Sequence, residues 1–428
     1  MSVRVGILGG GMAGVSVAKE LALAPGYDPV IVEGEPALGG LQYSAEVDGL
    51  MYDIGAFLFT PDHPVFKSFP FLLPHFKSVR HSAISITPSG RPDRYPCTMR
   101  GFVRDNGVGV ALTCAAEILV ARARHDPHGS VADYARYHLG DTFYQRSGLQ
   151  HYIERLYALP QDEIGIEFAE QRLVSIKKYT PSGVLRRRLD AAMRRLRGQP
   201  PITTMVRPAE GFGAVYGMIR RDLESLGTEI HLGSPVRGVR RVGDEFVIAT
   251  EAGEHVVDRV VSTIPVPAML GLLGLPAEGF DYMHLVSLFC RANLGHDAWL
   301  QCNFTHEGDW KKLTAFSKCY GMEGGRDYFT VEMTTREPSD ELRDRFYEDF
   351  TAHARRLGVV EGDVEMAGSR ITRDAYPVFH REGGAAIAAG RARLRDAGIE
   401  FVGRQGNFEY SSSGVVAGRA RSFATRFR

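Results

Sequence analysis

The feature that most limits how this chain can fold is the run Gly9-Gly10-Gly11-Met12-Ala13-Gly14. It follows a β-branched stretch at residues 3–8 and opens a stretch of helical period at 12–23, which Pro25-Gly26 stops. A second short apolar run at 29–32 completes a strand–helix–strand unit, which demands parallel pairing. In that setting Gly9 permits a tight turn, Gly11 lets the backbone approach a diphosphate, and Gly14 lets the helix pack on the strand. The backbone N–H groups of Gly11, Met12 and Ala13 then face the phosphates from the positive end of the helix. Glu33 closes the second strand. A carboxylate there accepts from a ribose 2′-hydroxyl and repels a 2′-phosphate, which favours FAD or NAD over NADP.

The rest of the chain reads as two structural layers. With 428 residues, of which 44% are hydrophobic, it is too long for one simple core. Strand signals fade between about residues 61 and 202, where helical patterns stand at 130–139, 143–156 and 183–196. Ser130 and Asp133 fit a capping box. A β pattern resumes near 208: a helix at 212–226, a strand at 229–232, a three-run meander at 236–242, 245–250 and 255–257, and a strand at 259–263. A strand at 328–334, a helix at 339–357 capped by Ser339, a strand at 399–402 and a last helix at 414–425 follow. The expected class is α/β: a Rossmann-type, glutathione-reductase-like FAD-binding domain from residues 1–62, 203–266 and 396–428, and a mixed helical and sheet substrate domain from 63–202 and 267–395.

Charge and cysteine usage exclude several function classes. Lys+Arg and Asp+Glu are both 51, so nucleic acid is disfavoured as a partner. Five cysteines without CxxC spacing indicate neither a disulfide framework nor zinc, and reduced thiols in the cytoplasm are the expectation. No HxxxH or HExxH spacing supports a metal site, and no GxSxG elbow is present. No signal peptide is visible, and the apolar stretch at 108–121 is too short to cross a bilayer; it reads as a core helix, with a membrane-facing role the lesser reading. Trp299 and Trp310 read as core. The basic cluster Arg186, Arg187, Arg188, Arg194, Arg195 and Arg197 fits a solvated helix face, or a surface for an anionic substrate or acidic lipid.

The extension after Glu33, with Gly39-Gly40 and then Asp53-Ile54-Gly55, resembles the FAD-binding amine oxidase superfamily. The likeness continues through Arg207–Gly213, Ser234-Pro235-Val236, Val261–Pro265 and Gly403–Tyr410. Tyr376-Pro377-Val378 and the region from Tyr134 to Arg172 resemble its protoporphyrinogen-oxidase-like and UDP-galactopyranose-mutase-like subgroup. The resemblance implies non-covalent FAD held by Gly9, Gly11, Met12, Ala13, Gly14, Glu33, Gly39, Gly40, Gly55, Val236, Gly403, Arg404 and Tyr410. It implies a small-molecule substrate, with Arg172, Tyr376 and Tyr410 as candidate active-site residues. Three departures narrow the chemistry. No lysine stands in 285–291, where amine oxidases place one. Tyr410 is followed by serines rather than the mutase Asp, and Phe57 stands where the mutase has His. No cysteine follows Cys319, so a cysteinyl flavin near the C-terminus is ruled out. An FAD-dependent oxidoreductase taking a hydride from a small biosynthetic intermediate, with sugars and nucleotide-linked compounds among the candidates, is the leading expectation. A redox-neutral nucleotide-sugar mutase and a non-catalytic flavin-binding protein are the alternatives.

Overall fold

A computed structural model describes residues 2–427 apart from positions 56, 81, 88, 96, 173–185, 187–188, 191, 194–195, 198–202, 296–298 and 305. The described chain divides into two compact units: Met1–Val79, Thr203–Phe280 and Gly383–Arg428 form one, and Arg80–Ile202 with Asp281–Glu382 the other. Their borders fall after Val79, Phe280 and Glu382.

The first unit is built on a five-stranded sheet in the order Glu229–His231, Tyr27–Val32, Val3–Leu8, Arg259–Ser262, Ile399–Phe401. All its pairings are parallel. Both faces are covered, so the central strands are continuous apolar runs with buried ends rather than alternating ones. Helix Met12–Ala22 packs on the sheet and against the last helix, Ser413–Phe427. The antiparallel meander Val236–Val242, Glu245–Thr250, Gly253–Val257 leans on strand Val3–Leu8 at Gly6. A Cβ at Gly6 would come 2.5 Å from Ile248 Cδ1, so only glycine allows that approach. A hairpin of Tyr43–Val47 and Leu50–Ile54, not foreseen in the sequence, packs on helix Gly211–Ser225.

The second unit carries a seven-stranded sheet in the order Val360–Val378, Asp281–Leu294, Asp327–Thr335, Lys312–Ala315, Gln301–Phe304, Ala83–Ile86, Pro92–Arg94. Helix Asp340–Arg356 buries Phe346, Phe350 and Ala354 against one face, together with Trp299 and Trp310, which are core as expected. Ser339 caps that helix by accepting from Leu342 N, and Ser130 and Asp133 form the expected capping box of helix Val131–Leu139.

Three expectations are corrected here. The region 61–202 is not free of strands, since Lys77–Val79, Ala83–Ile86 and Pro92–Arg94 lie within it. The helix expected over 143–156 is two, Asp141–Arg146 and Leu149–Tyr157, divided at Gly148, whose φ of 77° is left-handed. The apolar stretch at 108–121 belongs to a longer helix, Met99–Arg124, capped by Thr98 and kinked at Gly107 (φ 85°, ψ 163°). That helix is long and apolar enough, by length and composition, to cross a membrane. It is not a core helix: only Gly101, Phe102, Cys114 and Ala121 along it are buried.

Candidate functional site

The register of the parallel sheet sets the first unit's site. Leu8 lies opposite both Val32 and Ser262, Val32 opposite His231, and Ser262 opposite Phe401. The residues that follow, Gly9, Glu33, Thr263 and Val402, therefore leave the sheet along one carboxyl edge, where open α/β sheets form their ligand crevices. The edge is tied together by Gly9 N to Val32 O (2.9 Å), Glu33 N to His231 O (2.9 Å) and Val402 N to Ser262 O (3.0 Å). The Thr263 hydroxyl adds bonds to Leu8 O (2.9 Å) and Gly9 O (3.2 Å).

Two of the glycines here are required by contact and one by space. Gly9 turns with φ 101°, and a Cβ on Gly14 would lie 1.9 Å from Gly9 O, so the helix reaches the turn only without a side chain there. Above Gly11 the situation is the reverse: the nearest atoms to an added Cβ are Gly40 Cα at 3.8 Å and Gly39 O at 3.9 Å. Gly11 bridges to Gly39 as a short parallel pair, and Gly39 N donates to Gly10 O (3.1 Å). The second glycine pair is thus drawn over the first turn, leaving a cradle walled by backbone. The helix behind it starts at Met12 with no acidic residue in its first turn to offset its positive end. Such a cradle fits a diphosphate.

Glu33 is already aimed into this turn. Its carboxylate accepts from Gly10 N (2.6 Å) and Glu35 N (2.8 Å). Ser234 N donates to Glu33 O (2.8 Å), and Gly34 approaches Pro235, which brings Val236 and the start of the meander beside the same loop. Gly55, at φ 83°, backs onto Leu41 O, which holds the Gly39–Gly40 turn from the other side. Tyr216 also supports that turn through its hydroxyl on Gln42 Oε1 (2.7 Å). Gly403 abuts Ala13, Arg404 lies over the Tyr410 ring at 4.7 Å, and Glu409 N bonds Arg404 O (2.9 Å).

Two features of this unit were not foreseen in the sequence. The first is the fully buried pair Asp53–Arg207, at 1% and 0% side-chain exposure. Arg207 Nε donates to both Asp53 oxygens (2.8 and 3.0 Å), and its other nitrogens serve Met51 O, Pro208 O and Ala209 O. Ser44 bonds Asp53 as well and takes the Phe212 N–H (2.8 Å), so the pair locks the hairpin to the start of helix Gly211–Ser225. Burial pushes the Asp53 carboxyl up, against the opposing pull of Arg207 and Ser44.

The second is His63, 7% exposed at the start of the last helix. Its Nδ1 accepts from Val65 N (3.2 Å), which leaves the proton on Nε2, facing Ser413 Oγ (3.2 Å). Burial lowers it from 6.5 to about 4. The unfolded chain protonates near pH 6.5 while the folded one resists until about pH 4. Stability present above pH 6.5 is therefore lost as pH falls through that window, by up to about 3 kcal/mol. His63→Gln should flatten this slope in urea titrations at pH 7, 5.5 and 4.5, with Tyr or Phe at His63 excluded from the comparison because they lose both bonds.

The remaining two candidates lie in the second unit. Arg172 Nη2 donates to Tyr152 OH (2.9 Å), and Tyr376 OH accepts from Lys311 Nζ (2.8 Å). Lys311 also reaches Glu332 (3.4 Å), which Lys312 meets at 3.0 Å. Although burial works to raise the Tyr152 phenol, Arg172, Lys311 and Arg155 together hold it below its ordinary value. Lys311 and Tyr152 were missed in the sequence. Of the basic cluster, Arg187, Arg188, Arg194 and Arg195 lie outside the described residues.

One arrangement of metal-ligand type occurs among the described residues: ligand atoms of Glu229 and His231, on the edge strand of the parallel sheet, and of His255, on the meander, come within 4.8 Å of one another. Glu229 is already engaged, through one oxygen with His231 (2.6 Å) and through the other with Arg4, while His255 Nε2 makes no hydrogen bond among the described residues.

Comparison with known proteins gives this geometry its context. Residues 7–69 match the family of NAD(P)-binding Rossmann-like domains, and residues 125–292 match the flavin containing amine oxidoreductases. No curated protein sequence matches the chain. Among solved structures, one described as a protoporphyrinogen oxidase from Exiguobacterium sp. 255-15 aligns with TM-score 0.73 and 16% identity, covering 100% of this chain and 99% of that one. A reduced UDP-galactopyranose mutase aligns with TM-score 0.77 and 15% identity over 100% and 94%. A conjugated-linoleic-acid-producing fatty acid isomerase from P. acnes aligns with TM-score 0.64 and 13% identity over 99% and 98%. With a Rossmann turn whose cradle suits FAD and a match over residues 125–292, the chain is similar to the flavin containing amine oxidoreductases and shares its fold with these solved structures.

Proposed function

We propose that the protein is an FAD-dependent oxidoreductase acting on a small biosynthetic intermediate that carries an anionic group. The observation behind this reading is a cationic cluster of the second unit, in which Lys311 is buried and Arg155 and Lys312 are half-buried. Lys311 and Lys312 both meet the buried carboxylate of Glu332, Lys311 also donates to Tyr376, and Arg172 donates to Tyr152, on which the charges of Lys311 and Arg155 also act. A local surplus of positive charge attracts a carboxylate or phosphate and positions it through charge-assisted hydrogen bonds.

Gly11, the first turn of the helix behind it and Glu33 would hold the cofactor's diphosphate and ribose. FAD, when bound, supplies a two-electron acceptor. The chain's own residues bind and orient. Arg172 fixes the Tyr152 hydroxyl as an acceptor, and Lys311 does the same for Tyr376. No side chain of this cluster is assigned the proton transfer.

The test is anaerobic mixing of the FAD-loaded protein with carboxylated and phosphorylated intermediates, watching flavin absorbance. Bleaching by one of them supports the reading. Lys311→Met and Arg172→Met should then raise KM roughly 10- to 100-fold, the loss of one hydrogen bond to a charged group at about 1.5–3 kcal/mol. FAD content should stay unchanged. A redox-neutral nucleotide-sugar mutase is the second reading, supported by the fold shared with UDP-galactopyranose mutase. It predicts turnover only after the flavin has been reduced, with no net bleaching by substrate, and that outcome would displace the first reading.

A further inference from the structure

Helix Met99–Arg124 has a face that the described residues of the second unit leave exposed. Its inward side is packed: Phe102 stacks on Phe143 at 4.8 Å, and Cys114 and Ala121 are buried. Its outward side is a continuous apolar stripe. Val108 is 65% exposed, Leu112 67% and Leu119 83%, with Val120 at 41% and Ala115 and Ala116 exposed between them. The spacing repeats at three to four residues, so these side chains share one face. Neither acid of the helix lies on it. Glu117 is turned inward onto Thr142 N and Oγ1 (both 2.7 Å), and the Asp105 side chain is 6% exposed and bonded to Ser89 and Arg104. Exposed arginines stand at both ends, Arg100 and Arg104 at one and Arg122 and Arg124 at the other.

We infer that this stripe is a docking surface for an anionic lipid bilayer, on which the protein lies with the helix in the membrane plane. Three points select this occupant. Apolar carbon flanked by arginines and free of carboxylates matches the acyl boundary and headgroups of an anionic leaflet. A second copy of the chain fits badly. Face to face, parallel or antiparallel, it sets arginines against arginines, with no carboxylate on the stripe to receive them. The helix lies on the bilayer rather than spanning it, because Gly107 breaks it. The apolar stretch beyond is only about 20 Å long at 1.5 Å per residue, against a hydrocarbon core of about 30 Å. Leu189, Met193 and Leu196 add exposed apolar carbon from the same unit at helical spacing, in a stretch that also holds Arg186 and Arg197. This surface is independent of the reaction proposed above.

The experiment is co-sedimentation of the full-length, FAD-loaded protein with phosphatidylglycerol/phosphatidylcholine vesicles and with vesicles of phosphatidylcholine alone. Analytical ultracentrifugation without lipid accompanies it. Wild type should pellet with the anionic vesicles, weakly with the neutral ones, and less as salt rises. Leu112→Glu with Leu119→Glu should stay in the supernatant. Arg122→Ala with Arg124→Ala should weaken binding about 25-fold, at about fivefold per arginine. Both pairs are exposed, so far-ultraviolet dichroism and FAD content should match wild type. The inference is overturned if wild type ignores anionic vesicles, or if the Leu112/Leu119 variant pellets like wild type. It is also overturned if the lipid-free protein is a dimer that this variant splits, which would assign the stripe to self-association.

Discussion

Gly11→Val yields a folded protein that no longer retains FAD. The two halves of that outcome come from different atoms. At Gly11 the backbone is extended (φ −73°, ψ −174°), a conformation valine adopts freely, and an added Cβ meets nothing nearer than 3.8 Å. The fold therefore loses little, about 1 kcal/mol or less for the altered helix start. The valine side chain occupies the open space beside Gly11 at the helix N-terminus, where the diphosphate is to sit. Two charge-assisted hydrogen bonds lost at about 1.5–3 kcal/mol each weaken affinity by 100-fold or more. Gly14→Val serves as the contrast. Its Cβ lies 1.9 Å from Gly9 O, so the turn itself must break and stability falls along with FAD binding. Thermal unfolding of the apoproteins followed by dichroism, beside FAD titration by fluorescence quenching, separates the two. If the Gly11 variant binds FAD like wild type, the diphosphate does not occupy that cradle.

Arg207→Met should cost about 3–5 kcal/mol, the largest loss of stability expected from any single change in the first unit. It strands Asp53 without a counter-charge at 1% exposure and leaves Met51 O, Pro208 O and Ala209 O without their donor. The paired variant Asp53→Leu/Arg207→Met should lose less than Arg207→Met alone, because no buried charge remains, although the three carbonyls stay unserved. Urea unfolding of the three proteins at pH 7 gives the comparison. A double variant less stable than the single one would mean that Asp53 is held by Ser44 and its surroundings rather than by Arg207. Because the pair fastens the hairpin to helix Gly211–Ser225, and Tyr216 of that helix supports the Gly39–Gly40 turn, FAD affinity should fall together with stability in Arg207→Met.

What could be read in the sequence was local. The glycine turn announces itself because only glycine tolerates a φ of 101° at position 9 and the 1.9 Å approach at position 14. The meander and the capping box are likewise written in neighbouring residues. The seven-stranded sheet was hidden for the opposite reason. Strand Val360–Val378 is mostly half-exposed and charged, without a clean alternation, and becomes a strand through its pairing with Asp281–Leu294, which itself shifts register three times. Asp53 and Arg207 stand 154 positions apart, and Lys311 meets Tyr376 across 65. No spacing rule connects such pairs. The stretch at 108–121 was misjudged because apolar composition does not say whether a neighbour covers it. In the structure nothing among the described residues covers Leu112 or Leu119.

The whole account rests on the carboxyl edge of the parallel sheet holding a flavin dinucleotide. The direct measurement is the ultraviolet–visible spectrum of the purified full-length protein, followed by heat release and mass analysis of whatever leaves it. The account predicts a yellow protein that releases intact FAD, near one per chain, with no flavin remaining attached to the polypeptide. A colourless protein that also fails to take up added FAD would contradict it.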